Sequence, residues 1–334
     1  MTTPVKNNEL TQILAPISLD FKALDDLIRL RLASKVALID QISSYIIQAG
    51  GKRVRPALLM LVAKALSKGK EMPHALELAA VVEFIHTATL LHDDVVDEST
   101  LRRGRETANA AFGNAASVLV GDFLYSRAFQ MMVGPNDLRV MEILSDATNT
   151  IAEGEVLQLL NMNDPEVDEE SYLRVIRYKT AKLFEASTEL GAIIASASEA
   201  ERAAAAAFGR HIGTAFQLMD DLLDYTADAE QMGKHAGDDL REGKPTLPLI
   251  YLLEKGNHEE RILVRAAIEQ NQDLPQDVFA QILKAVQDSG ALDYTQAAAQ
   301  KEADLAADCL ASFPKNEATD ALFALCQYYL ARQS

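Results

Sequence analysis

Six aspartates fall into two matching groups, Asp93, Asp94 and Asp97 in one stretch and Asp220, Asp221 and Asp224 in another. On a helix turning about 100° per residue, Asp93, Asp97 and Asp94 stand near 0°, 40° and 100°, so three carboxylates share one face. The second group repeats the arrangement, with Gln217 inside it. Like charges four residues apart disfavour a helix, and aspartate is itself a poor helix former, so an acidic end used twice calls for compensation. With a reference pKa near 3.9 these side chains are ionised at neutral pH and need cations. Hard, all-oxygen donors suit Mg²⁺, which takes few protein carboxylates and completes its shell with water and phosphate. One such group alone reads as a solvated acidic face; two, each ending an apolar helix, read as a metal site.

Magnesium held this way bridges to phosphate, and four basic stretches could meet it. Residues 50–56 join two glycines to Lys52, Arg53 and Arg55 just before Pro56. Arg102, Arg103 and Arg105 follow the first aspartate group after a short loop. Lys179 with Thr180, and Lys234 with Lys244 in the stretch 233–244, add ammonium groups. Arginine grips diphosphate oxygens with a fork and lysine acts as a point charge. Each basic stretch alone reads as surface; set beside paired acidic faces they specify a diphosphate site. His86 lies about two turns before Asp93 on the same face and could donate to phosphate, although a histidine in an apolar helix serves equally well as a core residue. His92 faces elsewhere and reads as structural.

The elements that must hold these groups are helices. The chain has 334 residues with only 16 glycines and 10 prolines, and the stretches 74–134 and 166–244 contain no proline to interrupt a helix. Residues 75–91 and 209–223 are apolar around most of their circumference, which marks helices enclosed by others. Alanine-rich runs add strong helix formers, and no stretch alternates as a β-strand would. The expectation is all-α: a single-domain bundle of long helices, residues 1–334, around a deep central cavity, with residues 1–20 loosely ordered at its start. A net charge of −17, from 32 Lys and Arg against 49 Asp and Glu, argues against a nucleic-acid partner. Two cysteines, Cys309 and Cys326, are too few for a disulfide framework or a zinc site. The N-terminus lacks a signal-peptide pattern, and the most apolar segments are interrupted by Glu83, His86 or Asp220, so a cytoplasmic protein that is not integral to a membrane is expected.

The aspartates with Arg102, Arg103 and Gly104, the upstream stretch 50–56 and the downstream run from Phe216 to Asp224, in this order, resemble the trans-isoprenyl diphosphate synthase family, also called polyprenyl synthetases. An Asp-Asp-x-x-Asp motif alone is shared with terpene cyclases; the whole series is specific, and the resemblance spans residues 42–253. The segments between the motifs are similar to the octaprenyl branch of that family, which supplies the ubiquinone side chain. The resemblance implies the isoprenoid synthase fold, Mg²⁺ as cofactor and a homodimer. It assigns Lys52, Arg55, His86 and Arg103 to the diphosphate of isopentenyl diphosphate, and Arg102, Lys179, Thr180, Gln217, Lys234 and, as a further contact, Lys244 to that of the allylic substrate, farnesyl diphosphate. It gives the metal to Asp93, Asp97 and Asp220, supported by Asp94, Asp221 and Asp224.

The reaction so implied begins with departure of the allylic diphosphate, continues with attack by the isopentenyl double bond on the cation left behind, and ends with proton loss, the released diphosphate being the family's proton acceptor. Catalysis then means stabilising charge on a leaving group, with no side-chain nucleophile. Small Ala88 and Thr89, where short-chain members carry bulky aromatics, imply a product longer than farnesyl diphosphate. Phe84 and Ile85 lie one turn deeper, and Met131 and Met132 are floor candidates that also fit an ordinary core. Alternatives are geranylgeranyl, heptaprenyl or nonaprenyl synthesis, or a non-catalytic isoprenoid-binding subunit, against which the intact motifs count.

Overall fold

The computed structural model describes residues 4–48, 50–102, 104–226, 237–270 and 275–331. Helices account for nearly all of it: α1 (Pro4–Ile13), α2 (Ser18–Leu32), α3 (Ala37–Gln48), α4 (Val54–Leu66), α5 (Ala75–Val96), α6 (Ala108–Phe112), α7 (Asn114–Met132), α8 (Leu138–Asn161), α9 (Glu169–Ile176), α10 (Lys182–Ile194), α11 (Glu199–Thr226), α12 (Asp238–Arg241), α13 (Leu247–Lys255), α14 (His258–Gln270), α15 (Gln276–Asp288), α16 (Ala291–Cys309) and α17 (Glu317–Leu330). The strands among the described residues are the antiparallel pair Leu101–Arg102 and Arg105–Glu106, with Arg102 opposite Arg105. The all-α expectation holds. The start of the chain, expected to be loosely ordered, is helical over Pro4–Ile13, and Ile17 just after it is buried in the main core.

Helix α5 is the axis of that core. Its apolar side chains point in all directions because α2, α4, α7 and α10 pack around it. Leu78, Val81, Val82, Ile85 and Ala88 are fully buried. Burying each of the larger ones contributes about 1.5–3 kcal/mol relative to exposure. Helix α5 is long and apolar enough to cross a membrane by length and composition, yet 61% of its apolar window is buried against neighbouring helices. A second apolar cluster, around Tyr225, Leu249, Val264 and Phe279, fastens the C-terminal helices to the end of α11.

Between α9 and α10 the helix widens into a π turn, Arg177–Ala181. One extra residue in a helical turn shifts the facing of everything after it, and such turns recur at functional sites. Two glycines bring neighbouring helices against this turn. A Cβ at Gly154 of α8 would lie 2.6 Å from the Lys179 backbone nitrogen, and one at Gly213 of α11 would lie 2.8 Å from the Ala181 Cα. The π turn is thus clamped between α8 and α11.

Candidate active site

The first aspartate group closes α5, whose last residue leads into Asp97 as the C-cap, with the Asp97 N–H bonded back to the Asp93 carbonyl. A helix C-terminus carries partial negative charge, so carboxylates there deepen an already cation-seeking end. Three cations from three different elements meet them. The Lys179 ammonium, on the π turn, stands 3.6 Å from Asp93 Oδ2. Lys244, in the loop after α12, donates to Asp97 Oδ2 at 3.0 Å. Arg102, in the short hairpin after α5, places Nε at 2.9 Å and Nη2 at 2.8 Å from Asp94 Oδ1. Asp94 is buried beneath that guanidinium, whereas Asp93 and Asp97 are only half-buried.

Both lysines have a second anionic partner. Lys179 Nζ donates to Glu155 Oε2 at 2.6 Å, and Lys244 Nζ to Glu242 Oε2 at 2.6 Å. Burial raises the Asp93 carboxyl above the usual range; Lys179 opposes the shift and Asp97 adds to it. The Glu155 carboxyl is pushed up to about 7, again chiefly by burial, with Lys179 opposing and Asp93 adding. Burial works against the Lys244 charge, but Glu242 and Asp97 outweigh it, so its pKa is raised. For Arg102, likewise, Asp94 outweighs burial.

The second group sits at the end of α11 and is wired differently. Asp221 is buried and accepts from the Tyr172 hydroxyl at 2.5 Å and from Gln217 Nε2 at 2.7 Å. The Gln217 carbonyl accepts in turn from Thr180 Oγ1 at 2.9 Å, so α11, the π turn and α9 share one network. Tyr172 reaches it because Asp168 caps α9, accepting the Ser171 N–H at 2.8 Å. Burial and Asp239 raise the Asp221 carboxyl well above its ordinary range. Asp224, also buried, accepts the Asp239 N–H on Oδ2 at 3.1 Å, while its backbone carbonyl accepts from Gly237. Asp224 therefore anchors the start of α12, beyond which the chain delivers Lys244 to Asp97. Asp220 is the exposed member.

A cavity opens beside α5, bordered by Arg53, Glu83, His86, Thr87, Asp94 and Arg102 and walled by apolar side chains of α2 and α3. Arg102, assigned to the allylic diphosphate by resemblance, thus stands on the same side as His86. Arg53 pairs with Glu83. Lys52 is exposed in the preceding loop. The Arg55 guanidinium lies over the Phe184 ring, 4.5 Å from its centroid, with Nε buried and lacking a hydrogen-bond partner. Burial lowers its pKa to about 10 against the pull of Glu83. Arg103 and Lys234 lie outside the described residues. Of the residues tied to product length, Phe84 borders this cavity; Ile85, Ala88, Met131 and Met132 are buried in the main core. Thr89 is half-buried and donates to the His86 carbonyl at 2.8 Å. His92 packs against Gly121 with Nε2 3.2 Å from the Val118 carbonyl, as its structural reading requires.

The donor set fits a hard divalent cation: Asp93 and Asp97 offer carboxylate oxygens within a crowd of negative charge, and Glu155 Oε1, which feels both, is buried with no hydrogen-bond partner. Among the described residues no three His, Cys, Asp or Glu side chains already converge as a cage. Glu155, Glu242 and Tyr172 are the site residues that sequence reasoning missed. A signal for Glu155 existed in Gly154 before it, since a glycine inside a helix costs about 1 kcal/mol and so marks a close approach.

Residues 36–286 match the polyprenyl synthetase family. The chain is 50% identical over 98% of both lengths to octaprenyl diphosphate synthase of Escherichia coli (strain K12). It is 46% identical to the geranyl-diphosphate-specific all-trans-nonaprenyl-diphosphate synthase of Rhodobacter capsulatus, over 96% of this chain and 97% of that one. Its fold superposes with a TM-score of 0.93, at 42% identity, on a polyprenyl synthase from Caulobacter crescentus CB15 solved with calcium and isoprenyl diphosphate, covering 97% of this chain and 98% of that one. Paired aspartate groups, cations converging on the first of them, and full-length likeness in sequence and fold agree: the chain belongs to the polyprenyl synthetase family.

Proposed function

We propose that the chain is an all-trans-octaprenyl diphosphate synthase, extending farnesyl diphosphate with successive isopentenyl diphosphates to make the ubiquinone side-chain precursor. The observation that carries this reading is the convergence of Lys179, Lys244 and Arg102 on the aspartates that end an apolar, buried helix. Asp93, Asp97 and Asp220 would hold Mg²⁺, with Asp94, Asp221 and Asp224 in support. The ions, when bound, supply positive charge to the leaving diphosphate. Lys179, Lys244, Arg102 and, by resemblance, Lys234 receive the same group, placing fixed charge where the negative charge develops. Thr180 and Gln217 orient that end. Lys52, Arg55, His86 and Arg103 hold isopentenyl diphosphate; the partnerless Nε and lowered pKa of Arg55 suit a guanidinium awaiting an anion.

By resemblance, the small side chains of Ala88 and Thr89 on α5 set the length of product; Ala88 is buried in the main core, where an aromatic ring would intrude. Farnesyl diphosphate, radiolabelled isopentenyl diphosphate and Mg²⁺ should give a ladder ending at eight units, and absence of condensation would overturn the reading. Ala88→Phe should end the ladder earlier; an unchanged ladder removes Ala88 from the tunnel wall. We further propose a cytoplasmic, one-domain protomer that pairs with a second copy, supported by exposed apolar side chains along α7 and α8, among them Leu119, Val133, Val156 and Leu160.

A further inference from the structure

The two lysines at the first aspartate group share one arrangement. Each sits between an aspartate of that group and a glutamate outside it, and each lies nearer to the glutamate. Lys179 Nζ is 2.6 Å from Glu155 and 3.6 Å from Asp93; Lys244 Nζ is 2.6 Å from Glu242 and 3.0 Å from Asp97. The glutamates come from unrelated places, one within α8 and the other at the end of α12, so helical repetition does not explain the match. Gly154, which admits the Lys179 backbone against α8, places Glu155 under the ammonium. Asp224, which fixes the start of α12, places Glu242 and Lys244 together.

A lysine beside a carboxylate competes with a metal ion for the same oxygens. If the nearer glutamate lost its charge, the closest anion left to each ammonium would be the aspartate, and a neutralised aspartate binds a divalent ion less well. We propose that Glu155 and Glu242 are positioning residues that draw Lys179 and Lys244 partly away from Asp93 and Asp97, sharing each ammonium so that those carboxylates stay competent for the divalent cation while the ammonium groups stay beside the diphosphate. The proposal rests on the reading of Asp93 and Asp97 as metal ligands.

The test measures Mn²⁺ binding by loss of the free-ion paramagnetic resonance signal, and the Mg²⁺ dependence of condensation, for the full chain, Glu155→Gln, Glu242→Gln, Glu155→Asp, Lys179→Gln and the pair Glu155→Gln/Lys179→Gln. Each Glu→Gln change should weaken Mn²⁺ binding, and raise the Mg²⁺ needed for half-maximal rate, on the order of 10-fold, with a smaller fall in kcat at saturating metal. Glu155→Asp, which keeps the charge on a shorter arm, should fall between. In the Lys179→Gln background, Glu155→Gln should no longer weaken Mn²⁺ binding, because the competing ammonium is gone. Metal curves that overlay those of the unmodified chain at a lower plateau would overturn the proposal, as would a shift that survives removal of Lys179. Asp93→Ala, run alongside, separates the two levels: wild-type Mn²⁺ binding there would overturn the underlying metal-site reading itself.

Discussion

The two aspartate groups are near copies in sequence and opposites in wiring. The first is met by full charges, Lys179, Lys244 and Arg102, arriving from a π turn, a loop and a hairpin. Among the described residues, hydrogen bonds to the second come from neutral donors, the Tyr172 hydroxyl and the Gln217 amide on Asp221 and the Asp239 backbone N–H on Asp224, and Asp220 is its exposed member. A charge-ringed carboxylate can exchange one cation for another as ligands come and go. A buried carboxylate tied by neutral hydrogen bonds is a fixed strut, because breaking those bonds leaves polar groups without water or partner. One motif thus serves a responsive wall and, for two of its three members in the other copy, a scaffold.

The largest effect separating the two walls is expected at Asp93. Asp93→Ala removes a carboxylate assigned to the metal and should lower kcat on the order of 10²–10³-fold, the usual cost of deleting one charge-stabilising contact, while the thermal unfolding midpoint hardly moves. Wild-type turnover would remove Asp93 from the site. Asp224→Ala should act through structure instead. It takes the acceptor from the Asp239 N–H, costing about 1–2 kcal/mol as loss of a helix cap does, and it loosens the loop that carries Lys244. The expected outcome is a lower unfolding midpoint with a raised KM for the allylic substrate and a smaller change in KM for isopentenyl diphosphate. Equal effects on both KM values would break the link from Asp224 to Lys244.

Much of this was legible in the sequence, because it depends on local pattern. The near-continuous apolar surface of residues 75–91 announces a buried helix, and rotation of about 100° per residue brings Asp93 and Asp97 to one side. What the pattern cannot hold is the identity of partners brought from far along the chain. Asp94 shares a face with Asp93 by arithmetic, but it is Arg102, in a hairpin, that buries it. Asp221 looks like Asp94 in the linear text, yet its partner is Tyr172 of α9. The π turn at 177–181 is equally silent: no proline or glycine lies within it, and the glycines that let neighbouring helices approach it, Gly154 and Gly213, stand far from it in the sequence. Glu155 had a local signal in Gly154 before it, but its partner Lys179 lies 24 residues further along the chain.

The smallest expected effect tests the scaffold alone. Tyr172→Phe deletes one hydroxyl and keeps the ring, so packing in α9 is preserved while, among the described residues, Gln217 remains as a side-chain donor to Asp221. A hydrogen bond to a charged acceptor is worth about 1.5–3 kcal/mol and a neutral one about 1 kcal/mol. Burial and Asp239 raise the Asp221 carboxyl above its ordinary range. Denaturant unfolding should show a stability loss of about 1–3 kcal/mol, with the Mg²⁺ dependence of turnover unchanged, since no charge next to Asp93 or Asp97 has moved. A shifted metal dependence in Tyr172→Phe would mean that Asp221 answers to the ions after all, and the contrast between a responsive wall and a fixed one would have to be redrawn.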